Sequence, residues 1–211
     1  MRYRGRLLII GFMSVRPELA GEDPIALFET WLKVAEGTEP NDPTAAALAT
    51  ATPEAAPSVR MVLVKKVDGR GFSFFTNAES QKGHELGENP QAALCFHWKT
   101  QRRQVRVRGD VAPLPGSEVD EYFHSRSRKS QVGAAVSAQS RPLPDRTVLE
   151  QAVQQFTEEH AEGEIPRPDF WRGYTLHPKT IEFWLDGPDR LHDRRVFTAV
   201  DGGWSTELLY P

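Results

Sequence analysis

Residues 45–76 contain three short runs of strand-like sequence that are separated by turn signals. The runs cover residues 45–51, 58–67 and 72–76, and the letters "DGRG" between the last two are typical of a hairpin turn. Strands that are joined by a tight turn pair in antiparallel fashion, because a parallel pair needs a long crossover connection. This stretch therefore favours an antiparallel sheet or barrel.

The rest of the chain alternates further strand-like runs with helical ones, without a GxGxxG loop, a P-loop or an internal repeat. Strands are predicted in "QAALCFHWK", "RQVRVRGDVAPL", "RGYTLHPKTIEFWLD", "RLHDRRVFTAV" and "GWSTELLYP". Helices are predicted in "EDPIALFETWLKVAE", which starts at Asp23 and Pro24, in "SQKGHELGENP", which Ser80 caps, in two pieces broken near Ser125, and from about Asp145 to His160. The pattern predicts a mainly β fold with helical additions (α+β), built on an antiparallel barrel.

The length of 211 residues is enough for one domain with a sizeable core. We expect residues 21–211 to form this domain and residues 1–20 to be a flexible N-terminal segment. The stretch "MRYRGRLLIIGFMSV" resembles a weak signal peptide without a clean cleavage site, and translation from Met13 is an alternative. No apolar run is long enough to cross a membrane as a helix.

The composition limits the partners and the compartment. A net charge of −3 argues against nucleic-acid binding as the role of the whole chain, since such proteins usually carry a basic excess. Cys95 is the only cysteine, so no intrachain disulfide can form, which fits a reducing cytoplasm. Cys95 itself is expected to be a small buried apolar residue of the run "AALCFHW". Any strongly positive site must therefore be local.

The segment "DRLHDRR" contains such a local concentration of cations. Arg190, His192 and Arg194 occupy alternate positions, which share one face in an extended strand. Two arginines and a histidine on one face repel each other unless an anion lies between them. The spacing predicts an anionic ligand at this segment.

Two strands carry further cations. In the strand 58–67, Arg60 and Lys66 would lie on one face and Lys65 on the other. In "QRRQVRVRGD", one face carries Arg102, Gln104, Arg106 and Arg108. Solvated faces are the alternative explanation for both patterns. Gln104 differs from its neighbours because a neutral amide is suited to the edge of a heterocycle.

The segment "YFHSRSRKSQ" places Tyr122, Arg126 and Ser130 at the i, i+4, i+8 spacing of one helix face. These donors suit a phosphate monoester, and a solvated helix face is the alternative. The sequence has no HExxH, CxxC or GxSxG motif and no histidine spacing typical of a metal site. Cationic and neutral donors without a nucleophile favour a small anionic ligand and a cofactor that supplies the chemistry.

Seven longer segments follow one another along the chain in a specific order and spacing: "RMVLVK", "FFTN", "SQKGHEL", "RRQVRVRG", "YFHSRSRKSQVGAAVSAQS", "IEFW" and "RLHDR". In these segments, from about Asp23 to Pro211, the chain resembles the pyridoxine 5′-phosphate oxidases (pyridoxamine-phosphate oxidases), FMN enzymes of vitamin B6 metabolism. The resemblance implies a split-barrel flavin-binding fold and a homodimer with FMN at the subunit interface. It implies oxidation of pyridoxine or pyridoxamine 5′-phosphate to pyridoxal 5′-phosphate, with O2 as electron acceptor.

The resemblance also implies the residues of two ligand sites and no metal. For FMN it implies Arg60, Met61, Val62, Leu63, Lys65, Phe75, Thr76, Gln81, Lys82, Gln104, Trp184 and Arg194, with Gln139 and Ser140 supplied across the dimer. For the substrate phosphate it implies Lys65, Tyr122, Arg126 and Ser130. Arg190 and His192 correspond to the catalytic pair beside the substrate ring, whereas Gln81 and Lys82 correspond to the pair that grips the FMN phosphate.

Three positions depart from the family pattern. Gln81 stands where most members have arginine, which predicts weaker binding of the FMN phosphate, although Lys82 remains. Phe75 replaces a tyrosine, and Leu208 replaces an arginine. The alternatives are a related flavin oxidase acting on a phenazine precursor, a non-catalytic module that binds flavin or pyridoxal phosphate, and a nucleic-acid-binding barrel. The intact stretch "YFHSRSRKSQ" favours the B6 enzyme over the phenazine type.

Overall fold

A computed structural model of the protein describes residues 15–211. The strands are β1 (Ala45–Ala51), β2 (Pro57–Asp68), β3 (Gly71–Asn77), β4 (Gln91–Trp98), β5 (Arg103–Pro113), β6 (Trp171–Leu185), β7 (Asp193–Val200) and β8 (Gly203–Leu209). The helices are α1 (Pro24–Thr38), α2 (Gln81–Glu88), α3 (Gly116–Ser125), α4 (Arg128–Val136) and α5 (Arg146–Glu159). None of these helices is both long and apolar enough to cross a membrane.

All eight strands form one antiparallel sheet in the order β3-β2-β1-β4-β5-β6-β7-β8. An additional pairing between β3 and β6 closes the first six strands into a barrel, and β7 and β8 extend the sheet beyond it. The predicted mainly β fold with helical additions is confirmed. The two helices predicted on either side of Ser125 and the helix from about Asp145 to His160 are also confirmed.

The barrel core follows the period-two alternation of the strands. In β5, Val105 and Val107 are fully buried, while Gln104, Arg106 and Arg108 lie on the outer face. Cys95 lies on the outer face of β4 and is half-buried, so the prediction of a core cysteine is wrong. It occupies the phase opposite to its buried neighbours, which a short apolar run does not reveal.

Helix α1 adds a layer of large side chains to the barrel core. The Asp23 carboxylate caps its start by accepting from two backbone amides. Phe28 and Trp31 are buried, and the Phe28 ring packs edge-on against Phe72 at 4.9 Å. Val34 of the same helix faces away from this layer and is 44% exposed.

The predicted flexible segment 1–20 lies partly outside the described residues, together with the signal-like stretch and Met13. Its described part is packed on the barrel rather than free. Leu19 is buried, and its carbonyl accepts a hydrogen bond of 2.6 Å from Arg195 Nη1. The Glu18 carbonyl accepts from Trp31 Nε1 at 2.8 Å. These two hydrogen bonds hold Glu18 and Leu19 against α1 and the barrel, and the boundary between residues 20 and 21 stays a prediction.

Strand β2 contains a bulge between Val64 and Lys66 that changes which face its residues occupy. Lys65 and Lys66 are both exposed, so the predicted separation of these cations onto opposite faces does not hold. Before the bulge, strict alternation leaves Met61 (63%) and Leu63 (38%) exposed. A row of exposed apolar side chains thus lies on the outer face of the barrel.

A second, smaller core lies beneath α3, α4 and α5. It consists of Val119, Phe123, Val132, Ile165 and Trp171. Trp171 is the first residue of β6, so this helical layer is attached directly to the barrel. The residues of the candidate site lie at the start of α2, where the helical layer meets the barrel, and across β5, β6 and β7.

Candidate functional site

Lys82 lies at the start of α2 in a pocket of neutral oxygen atoms. The Ser80 hydroxyl caps the helix by accepting from the Gly83 amide, and Gly83 packs so closely that a Cβ there would lie 2.1 Å from the Ala78 carbonyl oxygen. This tight turn directs Lys82 inward, where only 8% of the residue is exposed. Its Nζ donates to Thr76 Oγ1 (3.2 Å), Ser80 Oγ (3.3 Å) and Gln139 Oε1 (2.9 Å).

Within residues 15–211, no carboxylate lies within ion-pair distance of the Lys82 ammonium. Burial lowers the pKa of Lys82, the nearby charge of Arg60 lowers it further, and Glu85 partly offsets both effects. A buried ammonium that is coordinated only by neutral oxygens is stabilised when an anion enters the site. The start of α2 therefore has the electrostatics of a phosphate site.

Arg60 is close to this pocket but is neutralised by Glu85. Its guanidinium donates to Ser58 Oγ (2.6 Å), to Thr50 Oγ1 and to Glu85 Oε2 (3.2 Å). Burial of Glu85 alone would raise the pKa of its carboxyl, but hydrogen bonds from Ser58, Thr50, Gln81 and Arg60 lower it to about 2. The carboxylate thus stays ionised and holds Arg60 beside the Lys82 pocket.

The departure at Gln81 is linked to the same carboxylate. Gln81 Nε2 donates to Glu85 Oε1 at 2.9 Å, one helical turn away. The amide therefore points at Glu85, whereas Lys82 points at Thr76 and Gln139. Glu85 lies in the segment "SQKGHEL", but the resemblance gave it no role in a site, and its i, i+4 spacing from Gln81 was the available signal.

Gln139 contacts the Lys82 pocket of its own chain. Besides accepting from Lys82, its Oε1 accepts from Thr76 Oγ1 at 3.3 Å. Within its own chain this side chain therefore lies with Thr76 and Lys82, and the contact across the dimer that the resemblance implied stays a prediction. Ser140 follows in the left-handed region (φ 71°) and is exposed.

A second cation, Arg126, lies over the ring of Trp171, beside a stack of aromatic rings. Its guanidinium carbon is 5.0 Å from the centroid of the Trp171 ring. The rings of Phe75 and Tyr122 stack at 4.0 Å, and Phe75 also stacks on Trp171 at 5.3 Å. Arg126 Nη1 is the one buried side-chain nitrogen or oxygen in the described chain that has no hydrogen-bond partner. Burial lowers the pKa of Arg126, and the nearby Tyr122 partly offsets this.

The prediction that Tyr122, Arg126 and Ser130 share one helix face is wrong. Helix α3 ends at Ser125, and Arg126 is extended (φ −75°, ψ 155°), so the three residues belong to α3, the break and α4. The structure nevertheless brings Tyr122 and Arg126 together around Trp171. Ser130 Oγ lies 2.9 Å from Ser127 Oγ instead.

A third group of predicted residues forms a row across β5, β6 and β7. Gln104 pairs with Trp184, and Trp184 pairs with Arg194. Arg194 Nε donates to Glu182 Oε1 at 2.8 Å. Burial alone would raise the pKa of Glu182, but hydrogen bonds from Arg194 and Arg106 lower it. Glu182 lies two residues before Trp184 on the same strand face, and the resemblance gave it no role in a site either.

The strand alternation assumed for "DRLHDRR" is wrong at its first half. Strand β7 begins at Asp193, and Asp189 and Arg190 have positive φ angles of 53° and 62°. Pro188 starts a short 3-10 turn there, so residues 188–192 do not continue the strand. Arg190 is exposed at this turn, while Arg194 lies in β7.

His192 lies against the row on β6. Its ring centroid is 4.6 Å from that of Trp184. Nδ1 accepts from the Gly187 amide at 3.2 Å and lies 3.1 Å from Asp186 Oδ1. His192 thus reaches the same strip as Trp184 despite the turn. Met61, Leu63 and Lys65, by contrast, are exposed on β2 and Val62 is half-buried.

The closed six-strand antiparallel barrel with its helical layer is a split-barrel fold. A solved structure, PhzG from Burkholderia lata 383 in complex with tetrahydrophenazine-1-carboxylic acid, is 33% identical, with a TM-score of 0.87 over 94% of this chain and 98% of that chain. A pyridoxamine 5′-phosphate oxidase-related, FMN binding protein from Nostoc punctiforme has the same fold at 16% identity (TM-score 0.73, 91% of this chain and 100% of that chain).

Two family models match the chain: pyridoxamine 5′-phosphate oxidase over residues 35–160, and the pyridoxine 5′-phosphate oxidase C-terminal dimerisation region over residues 171–211. Curated pyridoxine/pyridoxamine 5′-phosphate oxidases are similar over most of their length. That of Sinorhizobium fredii is 55% identical over 192 residues (90% of this chain, 93% of the relative), and that of Rhizobium meliloti 56% over 191 residues (90% and 93%). The chain belongs to the pyridoxine/pyridoxamine 5′-phosphate oxidase family, which confirms the resemblance.

Proposed function

We propose that the protein is an FMN-dependent oxidase that converts pyridoxine 5′-phosphate or pyridoxamine 5′-phosphate into pyridoxal 5′-phosphate. Family membership and relatives above 50% identity support this reaction. The observation that carries the proposal is a pair of cations without a carboxylate partner in the described chain: Lys82, which is buried, and Arg126, which is half-buried with a buried Nη1. FMN and the substrate each carry one phosphate ester with nearly two negative charges, so two separate cationic pockets are needed.

The residues at α2 fit the phosphate of FMN. Lys82 supplies an uncompensated charge, Arg60 lies beside it, and Thr76 and Gln139 supply further polar groups. Gln104, Trp184 and Arg194 would hold the flavin ring system. Their support is a contiguous row with an amide, an aromatic face and a guanidinium. The remaining FMN residues of the resemblance, on β2 and at Phe75, Gln81 and Ser140, stay predictions.

The residues around Trp171 fit the phosphate of the substrate. Arg126 and Tyr122 meet there, and Lys65 lines an adjacent cavity of about 450 Å³ together with Tyr122. Ser130 stays a prediction for this site. Arg190 and His192 would hold the substrate ring, with His192 supported by its position against Trp184.

In this reaction the protein orients two ligands and compensates their charges. When bound, FMN supplies the two-electron acceptor that O2 afterwards reoxidises. The substrate gives up two electrons and two protons, which leave as H2O2. With the amine substrate, water then hydrolyses the resulting imine and releases ammonia. His192, with Nδ1 occupied by Gly187 and Asp186, keeps its other ring nitrogen available for the substrate.

We further propose a homodimer that works in the cytoplasm. The exposed apolar row of β2, which consists of Val59 (68%), Met61 and Leu63, is a surface that a second copy would cover. The match to a C-terminal dimerisation region supports the same assembly. A single cysteine fits a reducing compartment.

The proposal is tested by purifying the protein, identifying the bound flavin and measuring O2 uptake with both B6 phosphates. We expect FMN at one per chain and turnover of at least one substrate, with H2O2 formed in equal amount. FMN binding without turnover of either substrate would contradict the proposal. Turnover of tetrahydrophenazine-1-carboxylic acid alone would assign the chain to the phenazine-type oxidases.

A further inference from the structure

Arg126 is held by aromatic faces and not by an acid. Its guanidinium carbon lies 5.0 Å from the Trp171 ring and 5.9 Å from the Phe123 ring. No carboxylate of residues 15–211 lies within ion-pair distance of it. A cation–π contact fixes the position of a guanidinium without cancelling its charge, which a carboxylate partner would do.

Trp171 is well suited to this role because it is itself fixed. It is 5% exposed, its ring stacks at 10° to Phe75, and Phe123 packs against it edge-on at 5.0 Å. Its carbonyl accepts from Arg167 Nη1 at 2.9 Å, and Arg167 is in turn tied to Asp120 at 2.6 Å. The indole is therefore a rigid platform at the point where β6 meets the helical layer.

The unsatisfied Nη1 of Arg126 indicates which ligand this arrangement binds. With one face of the guanidinium towards Trp171, Nη1 is buried and without a partner. An unsatisfied buried donor is costly, and a phosphate oxygen would satisfy it. Helix α3 ends at Ser125, so Arg126 lies outside the helix and its side chain can lie against the aromatic rings.

We propose that Trp171 is a positioning residue that makes the enzyme selective for phosphorylated substrates. It holds Arg126 over its indole face with the charge intact, so that the guanidinium meets the phosphate of the B6 substrate. This inference rests on the proposed function. It adds a residue that sets the affinity for the substrate phosphate through Arg126.

The test replaces Trp171 by leucine and by phenylalanine in the FMN-loaded enzyme. We expect Trp171→Leu to raise KM for pyridoxine 5′-phosphate about 10-fold, and Trp171→Phe about 3-fold because a weaker aromatic face remains. The turnover number and the Kd for FMN should change less than about twofold. KM for unphosphorylated pyridoxine should not change, because it has no phosphate for Arg126 to bind.

Trp31→Phe is the matched control, because Trp31 is also buried and also carries an arginine, Arg103, over its ring at 4.6 Å. This control should lower thermal stability and leave both KM values unchanged. A double-mutant cycle isolates the coupling: in an Arg126→Ala background, neither Trp171 variant should raise KM further. If the leucine variant does not fold, the double-mutant cycle is measured with the phenylalanine variant.

The inference is overturned if KM for the phosphorylated substrate is unchanged in the Trp171 variants, or if the increase persists without Arg126. Turnover by the unmodified enzyme separates this failure from a failure of the proposed function. If the FMN-loaded enzyme does not turn over, the Kd for pyridoxal 5′-phosphate replaces KM in the same cycle. An unchanged Kd in Trp171→Leu then refutes the inference independently.

Discussion

Lys82 and Arg126 differ from Arg60 and Arg194 in what surrounds them. Arg60 and Arg194 each bind a buried glutamate, Glu85 and Glu182 respectively. Lys82 is coordinated by hydroxyl and amide oxygens, and Arg126 by aromatic faces. A paired cation has most of its charge compensated by the fold, whereas an unpaired one keeps its charge for a ligand. We therefore assign Lys82 and Arg126 to the two proposed phosphate sites. Arg195 is also buried without a carboxylate, but it donates to Thr206 and to the Leu19 carbonyl.

The two unpaired cations avoid neutralisation by different means. At α2 the chain surrounds an ammonium with neutral acceptors, which satisfy its three donors while the charge persists. At Trp171 the chain places an aromatic ring face against the Arg126 guanidinium and leaves Nη1 of this residue without a hydrogen-bond partner. The first arrangement stabilises the empty site better than the second, since no donor is left unsatisfied.

The largest expected effect is that of Lys82→Met. This substitution removes the uncompensated charge with little change of volume and should raise the Kd for FMN by about 100-fold or more. The apoprotein should be no less stable than the wild type, because a buried charge is removed. Fluorescence titration of the apoprotein with FMN measures the affinity, and Lys33→Met on the exposed side of α1 is the control. Retention of wild-type affinity would remove Lys82 from the FMN site.

Arg126→Ala should act on the other site. We expect KM for pyridoxine 5′-phosphate to rise by about 10- to 100-fold, with the Kd for FMN within about twofold of the wild type. Arg128→Ala is the matched control, since Arg128 is exposed and binds the Gly163 carbonyl. Steady-state O2 uptake gives KM. Loss of FMN from the alanine variant would show that the two phosphate sites are interchanged.

Glu85→Gln tests the paired side of the comparison and should lower stability by about 1–3 kcal/mol at pH 7, because Arg60 loses its counter-charge. The pKa of Glu85 is lowered from 4.5 to about 2 in the folded protein. Its ionised form therefore contributes fully above pH 4.5, and the contribution is lost as the pH falls towards 2. The stability difference between wild type and variant, measured by urea unfolding, should shrink across this range. A difference that is independent of pH would contradict the assigned ionisation.

Gln81→Arg should have the smallest effect. An arginine restores the charge found in most of the family and should tighten FMN binding by about 2- to 5-fold, with a steeper dependence on salt. Gln81 is exposed and points at Glu85, so part of the added charge will be compensated there. The Kd for FMN at two ionic strengths measures the gain. Unchanged affinity at low salt would mean that this position does not face the phosphate.

The fold was largely predictable because its signals are local. Tight turns, period-two alternation and the caps at Asp23 and Ser80 each depend on neighbouring residues, and both caps are present. The errors in predicting the fold arise where a contact distant in sequence overrides a pattern of neighbouring residues. Leu19 is fixed by Arg195 from the other end of the chain, which no pattern near residue 19 reveals.

The site was predictable only in part for the same reason. Alternation grouped Arg190 with Arg194, but the turn at Pro188 separates them, and helix spacing aligned Ser130 with Arg126 across a helix break. Glu85 and Trp171 received no role, since a glutamate or a tryptophan gains one only through the cation that folding places beside it. Such pairings are tertiary, and single-strand or single-helix periodicity does not contain them.

The most direct test of two separate phosphate sites compares FMN with riboflavin, which lacks the phosphate. The ratio of their dissociation constants measures what the phosphate contributes to binding, independently of the ring system. We predict that the ratio falls towards one in Lys82→Met and stays at the wild-type value in Arg126→Ala. A ratio that survives in Lys82→Met, or falls in Arg126→Ala, would contradict the assignment of the two unpaired cations to two ligands.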